Sequence, residues 1–219
     1  MQNEMLKRIF GILFVILSLA GCDEPEYDYG DFLEVIAVYG GDDDEGSVFT
    51  YQARGDSPLV TLRSSAAISG ALQGERVLLR YTVIDDVSDT EKEIRVDAVS
   101  KIVCDVLRQV DGSVWDVLDS TPVDMTSVWR SGNYVNVYCW VPYAGPKFQM
   151  LLVADQSTLD SETPTLRLVY SILEGEPAFD RKCYASFDIT NLWQRETCRG
   201  IRICAYDTDG ERIYEFNKI

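Results

Sequence analysis

The 219-residue chain contains no histidine. That absence removes Ser-His-Asp and Cys-His catalysis, histidine-bearing zinc sites and the commonest general base near neutral pH. Chemistry would have to run on carboxylates, lysine or an unusual thiol. No motif assembles those groups, so the expectation is a protein that is not an enzyme and has no catalytic residue, cofactor or metal. The six cysteines include no Cys-x-x-Cys pair, so a zinc ribbon or thioredoxin-like redox site has no support. Positive charge is also scarce: 20 Lys and Arg against 36 Asp and Glu give a net charge of −16. Nonspecific affinity for nucleic acid comes mostly from neutralising phosphates with cations, so no nucleic-acid partner is expected unless the few cations gather on one face, and membrane contact through a basic patch is disfavoured. No repeat of 20 to 50 residues is visible.

What is present begins with an address. Residues 5–22, MLKRIFGILFVILSLAGC, comprise a short basic head, an apolar run from Ile9 to Ala20 and a small residue leading into Cys22. Spanning a bilayer takes roughly 20 apolar residues, so this shorter run reads as a cleavable export signal. Leu19-Ala20-Gly21-Cys22 resembles the lipobox of bacterial lipoproteins. The resemblance implies a mature chain that starts at Cys22, carries lipid on its thiol and is held at the membrane by that anchor, each buried CH₂ contributing about 0.8 kcal/mol. The expected location is the cell envelope, as an outer-membrane lipoprotein facing the periplasm or the outside. Met1 and Met5 both remain as starts, although Glu4 sits awkwardly in a basic head.

Without residues 1–21 the chain keeps 18 basic and 35 acidic residues, a net charge of −17. The 12 Tyr, 6 Phe and 4 Trp it keeps are too many for a disordered tail and indicate a folded body. Asp23 to Asp31 is acidic and apolar-poor, as expected of a solvated tether over residues 22–31. Strand signals then dominate. Phe32–Tyr39, Ser47–Gln52, Leu59–Leu62, Glu75–Ile84 and Glu93–Cys104 are rich in β-branched and aromatic residues between Gly, Asp and Ser clusters. Five strands in so short a span suggest an OB-like barrel over residues 32–106. Val77, Leu79, Tyr81 and Val83 alternate with Leu78, Arg80, Thr82 and Ile84, so one face meets a core and the other has material for a second layer.

A mixed stretch, 107–124, reads as a junction. Seven further strands follow at Met125–Trp129, Tyr134–Pro142, Lys147–Ala154, Thr165–Leu173, Lys182–Ile189, Ile201–Tyr206 and Arg212–Phe216, with turns at Ser131-Gly132-Asn133 and Asp207-Thr208-Asp209-Gly210. That pattern predicts a seven-stranded β-sandwich over residues 125–219 and an all-β chain.

Tyr134 to Val141 is the most informative strand. Alternation puts Val135, Val137, Cys139 and Val141 on a core face and Tyr134, Asn136, Tyr138 and Trp140 on the other. An aromatic row with one amide suits a sugar ring or a protein partner, making these four the candidate ligand-binding residues. The bland alternative, that the row packs against the first domain or a neighbouring strand, is the stronger of the two. Trp129, Tyr143 and Phe148 could extend either arrangement.

Asp42-Asp43-Asp44-Glu45 has oxygen ligands for a hard cation, but consecutive side chains diverge, and a solvated hairpin loop is the better reading. Asp207-Thr208-Asp209-Gly210 imitates the start of an EF-hand loop yet is flanked by strand residues, so it reads as a turn. With Cys22 lipidated, Cys104, Cys139, Cys183, Cys198 and Cys204 form an odd set. Cys139 and Cys183 fall in phase with apolar neighbours and read as buried thiols, while Cys198 and Cys204 are the more plausible disulfide pair.

Tyr29-Gly30-Asp31-Phe32, Gly74-Glu75-Arg76-Val77-Leu78 with Tyr81-Thr82-Val83-Ile84-Asp85, Ile94 to Ile102, Trp129-Arg130-Ser131-Gly132-Asn133-Tyr134-Val135-Asn136-Val137, and Ala205-Tyr206-Asp207-Thr208-Asp209-Gly210-Glu211 resemble the NigD-like lipoproteins of Bacteroides-type bacteria. The resemblance implies an amino-terminal OB-like domain and a carboxy-terminal β-sandwich. It also implies a bacteriocin-immunity or envelope-protection role through binding, with no catalytic residue. A surface accessory lipoprotein that binds glycan or peptide is the alternative.

Overall fold

The computed structural model describes residues 32–218. Alternation builds the barrel. In β1 (Leu33–Asp43) Ala37 and Tyr39 face inward, and in β4 (Arg76–Ser88) Val77, Leu79 and Tyr81 do the same. The β1–β4 register sets Val35 opposite Leu79 and Ala37 opposite Val77. β2 (Gly46–Tyr51), β3 (Val60–Ser64) and β5 (Glu91–Lys101) add Phe49, Leu62 and Ile94 to the same core. The strands close in the order β1-β2-β3-β5-β4, with β3 and β5 parallel, so the five expected strands form the OB-like barrel. Gly46 is required at the β1–β2 turn: its φ is +123°, and a Cβ there would lie 2.0 Å from the Ser64 carbonyl oxygen. The second layer expected over the opposite face of β4 does not extend to Ile84, which is exposed.

Nine strands form the sandwich. The seven expected ones are present as β8 (Asp124–Ser131), β9 (Tyr134–Tyr143), β10 (Phe148–Asp155), β11 (Thr165–Ile172), β12 (Phe179–Asp188), β13 (Gly200–Asp207) and β14 (Gly210–Asn217). Two short strands join them from the connection that follows the barrel. β6 (Val103–Val106) pairs in parallel with β12, and β7 (Arg108–Val110) in parallel with β10. The sheets run β14-β13-β11-β10-β7 and β6-β12-β9-β8.

Val135, Val137, Cys139 and Val141 meet Leu152, Leu166, Phe187 and Ile203 between the sheets. Each large apolar side chain fully buried there contributes roughly 1.5–3 kcal/mol. Two single-turn helices lie between strands of the sandwich. The first, Gly112–Trp115, is capped by the Asp111 carboxylate, which accepts from the Ser113 and Val114 amides. The second, Thr190–Trp193, buries Leu192 and Trp193.

Candidate functional site

The β8–β9 hairpin sits where the sandwich meets the barrel. Gly132 turns it with a φ of +54°, and its amide donates to the Gly55 carbonyl oxygen at 2.7 Å. The Gly55 amide in turn donates to the Arg130 carbonyl oxygen at 2.7 Å. Arg130 occupies a core-phase position opposite Val135 and is buried. Its guanidinium lies 4.3 Å over the Trp193 ring and donates to both carboxylate oxygens of Asp56 at 2.9 and 2.7 Å. A bidentate fork of this kind fixes orientation as well as charge, and those hydrogen bonds hold the Asp56 carboxyl below the usual range. The loop between β2 and β3 is thereby tied to the sandwich.

The expected binding row sits on the outer face of the four-stranded sheet, and the barrel covers part of it. Asn136, expected to face a ligand, is wholly buried. Its Oδ1 accepts from Arg76 Nη2 at 3.0 Å and from the Ser186 hydroxyl at 2.9 Å, and its Nδ2 donates to the Ser131 hydroxyl at 2.8 Å. Arg76 Nε also donates to Ser186 at 2.7 Å, and its guanidinium lies 3.9 Å from the Tyr134 ring centroid. Desolvation lowers the pKa of Arg76, against the pull of Tyr134, Cys104 and Asp188. A buried amide with its capacity used in this way has none left for a ligand, and Tyr134 is occupied by Arg76.

Tyr138 stacks on Tyr184 with centroids 4.6 Å apart, and the Tyr184 hydroxyl donates to the barrel's Glu34 at 2.8 Å. Of the four residues Trp140 is the most exposed, at 36%, with the Lys182 ammonium over its ring, while Tyr134 and Tyr138 are half-buried. The row expected as one binding surface is therefore divided, because the barrel supplies Arg76 and Glu34 to most of it. Trp129 lies on this barrel-facing side, opposite Asn136. Tyr143 and Phe148 cluster with Phe179 at the far end of the sandwich.

A groove of about 920 Å³ runs beside the hairpin, lined by Arg54, Gly55, Asp56, Trp129, Tyr214 and Phe216 among others. β8 and β14 are edge strands of their sheets, so their outer backbone edges border this groove. Edge backbone, three aromatic side chains and a flanking ion pair suit an extended polypeptide. Tyr214 and Phe216 were not singled out from the sequence. Their alternation in β14 marks a half-buried face, but only the fold shows which sheet edge that face borders.

The remaining candidates resolve as structure. Asp42 accepts from the Tyr39 hydroxyl at 2.6 Å and Asp43 from the Glu45 amide at 2.9 Å, within the β1–β2 hairpin. Asp207 is buried at the β13–β14 turn and accepts from the Met125 and Asp209 amides, the Thr208 hydroxyl and Arg212. Burial pushes its pKa up, but those donors outweigh it and hold the carboxyl below the usual value. Cys198 and Cys204, expected as a disulfide, are both free: Cys198 donates to the Gly200 carbonyl oxygen at 3.3 Å, and Cys204 lies on β13 opposite Ile213. Cys22 and the tether lie outside the described residues.

Residues 107–218 match the model of the NigD-like C-terminal β-sandwich domain, just over half of the chain. The chain belongs to the NigD-like family. No curated protein matches it. Among solved structures, a protein of unknown function from Bacteroides vulgatus superposes with a TM-score of 0.68 at 16% identity, over 86% of this chain and 91% of that one. A NigD-like immunity protein from Bacteroides caccae gives 0.61 at 18% identity, over 88% and 100%. A candidate lipoprotein from Bacteroides fragilis gives 0.62 at 13% identity, over 85% and 97%. At these identities the likeness is one of fold.

The stretch matched to the NigD-like domain contains Arg130, Asn136 and Ser186, the sandwich half of the contact just described. Asp56, Arg76 and Glu34, the barrel half, precede it.

Proposed function

We propose that this NigD-like chain is a lipid-anchored protein of the cell envelope that acts by binding a protein partner, in a bacteriocin-immunity or envelope-protection role, and not by catalysis. The export signal ending at Cys22 supports the anchor, and the names of the Bacteroides caccae and Bacteroides fragilis proteins agree with the role and the location. The observation that carries the reading is the groove between the β8 and β14 edges. The outer edge of β14 can hydrogen-bond an incoming extended chain, the β8 edge being engaged by Gly55 at one end and by Asp207 and Arg212 at Met125, while Trp129, Tyr214 and Phe216 supply the aromatic area that dominates protein interfaces.

Capture from native envelopes with wild type and Phe216→Arg tests it. A partner held by wild type and lost by the variant supports the groove, and a partner retained equally by both removes it. A glycan-binding accessory role is the second reading, favoured by Trp140 alone, whose exposed ring could stack on a sugar. Saccharide binding abolished by Trp140→Ala would select it.

A further inference from the structure

β9 and β12 set two thiols side by side. Cys139 and Cys183 are directly opposite each other in the antiparallel register, and the Cys139 thiol donates to the Cys183 carbonyl oxygen at 3.9 Å. Opposed residues in such a pair hold their Cβ atoms roughly 4.5–5.5 Å apart, within about 1 Å of what a disulfide needs. Among the described residues no other two cysteines share a register position.

The two thiols differ in access. Cys139 is fully buried, while Cys183 retains 7% exposure. β6 pairs with β12 only from Ala185 to Asp188, which leaves the β12 edge beside Cys183 uncovered on that side. A pocket of about 280 Å³ opens there, with Cys183 in its lining beside Lys101, Arg181, Lys182 and the rings of Tyr143 and Phe148. Its lining residues include three cations and no carboxylate, in a chain of net charge −16, although Lys182 holds its ammonium over the Trp140 ring on the outer face and leaves Arg181 and Lys101 as the pocket's charges. Lys101 shares its charge with Glu75 at 3.5 Å, and Arg181 stands 4.8 Å from the Tyr143 ring centroid. A thiol–thiol hydrogen bond from Cys139, separate from the one to the carbonyl, together with Arg181 nearby, holds the Cys183 thiol below the ordinary thiol range against its burial. The same hydrogen bond and burial push Cys139 well above that range.

We propose that Cys183 and Cys139 form a reversible dithiol–disulfide pair, in which Cys183 exchanges with a small anionic disulfide entering the cationic pocket and Cys139 resolves the mixed disulfide. The Cys183 thiolate attacks one sulfur of the incoming disulfide, the ligand S–S bond breaks, and one ligand thiolate leaves. Cys139 then attacks the Cys183 sulfur and expels the second ligand thiolate, which takes up the Cys139 proton. The two cysteines lose two electrons and two protons, and the ligand disulfide becomes two thiols.

Oxidised glutathione is the probe and the reduced full-length protein the target, with alkylation and peptide mapping as readout. The expected product is a Cys139–Cys183 cross-link that forms in the native protein. Cys139→Ser should accumulate glutathione on Cys183, and Cys183→Ser should leave Cys139 unmodified. A neutral disulfide of similar size should react several-fold more slowly, a gap that Arg181→Gln should narrow. Two alkylatable thiols at 139 and 183 in wild type, at times when Cys104 is already glutathionylated, would overturn the pair. Equal rates for the anionic and neutral disulfides would overturn the pocket's part in it. The wild-type mapping stands even where a serine variant fails to fold.

Discussion

The outer face of the four-stranded sheet has two ends. At one, Asn136 and Tyr134 lie under Arg76 of the barrel; at the other, Trp140 reaches solvent beside Lys182. Strand alternation is the same at both. What separates them is a neighbour 60 residues away in sequence that covers one end and stops short of the other. A face defined by alternation is thus a core, a domain contact or a surface according to what the rest of the chain brings to it.

The largest effect that could break this comparison is expected from Asn136→Leu. It leaves the Arg76 guanidinium buried without its amide acceptor, and the denaturant midpoint should fall by an amount equivalent to about 3 kcal/mol. A change below about 1 kcal/mol would mean that the contact is wetter and looser than the geometry implies. Tyr138→Ala, between the two ends, removes a ring stacked on Tyr184. Its expected cost is about 2 kcal/mol in the same measurement, combining lost area with the stacking itself.

The long strands, the core face of β9 and the OB-like barrel as a class were legible because period-two apolar patterning over long runs admits few alternatives. β6 and β7 were not, since four and three residues carry no usable periodicity and are strands only through their partners β12 and β10. Arg130 carried no signal: alternation from Met125 puts Trp129 in core phase, and only the register shift between Met125 and Ser127 turns Arg130 inward. Its partner Asp56 sits in a loop with no pattern that could reveal the pairing. Cys198 and Cys204 looked the more plausible pair once Cys139 and Cys183 read as buried thiols, but Cys204 lies opposite Ile213 on β14 and Cys198 turns to the Gly200 carbonyl.

Acid sharpens the comparison on the covered side. Asp56 and Asp207 have folded pKa values below their unfolded ones, so the stability they contribute is fully present above the ordinary aspartate value of about 3.9 and is lost as pH falls from there through their lower folded values. A pH titration of the melting temperature should show a steeper acid limb in wild type than in Asp56→Asn. The difference should stay under about 1 kcal/mol, because the Asp56 side chain is mostly exposed. Equal acid limbs would show that the Arg130 fork adds nothing in solution.

Trp140→Ala, at the open end, has the smallest expected effect, within about 1 kcal/mol of wild type by thermal melt. A loss of about 3–5 kcal/mol would place Trp140 in a covered environment and erase the contrast.

Coupling between Arg76 of the barrel and Asn136 of the sandwich tests the central claim most directly, through a double-mutant cycle with Arg76→Ala and Asn136→Ala. A shared, buried, charge-assisted hydrogen bond predicts that the two losses fail to add by about 1.5–3 kcal/mol. Additivity within about 0.5 kcal/mol would contradict it, showing that the barrel does not cover this end of the sheet in the way the geometry describes.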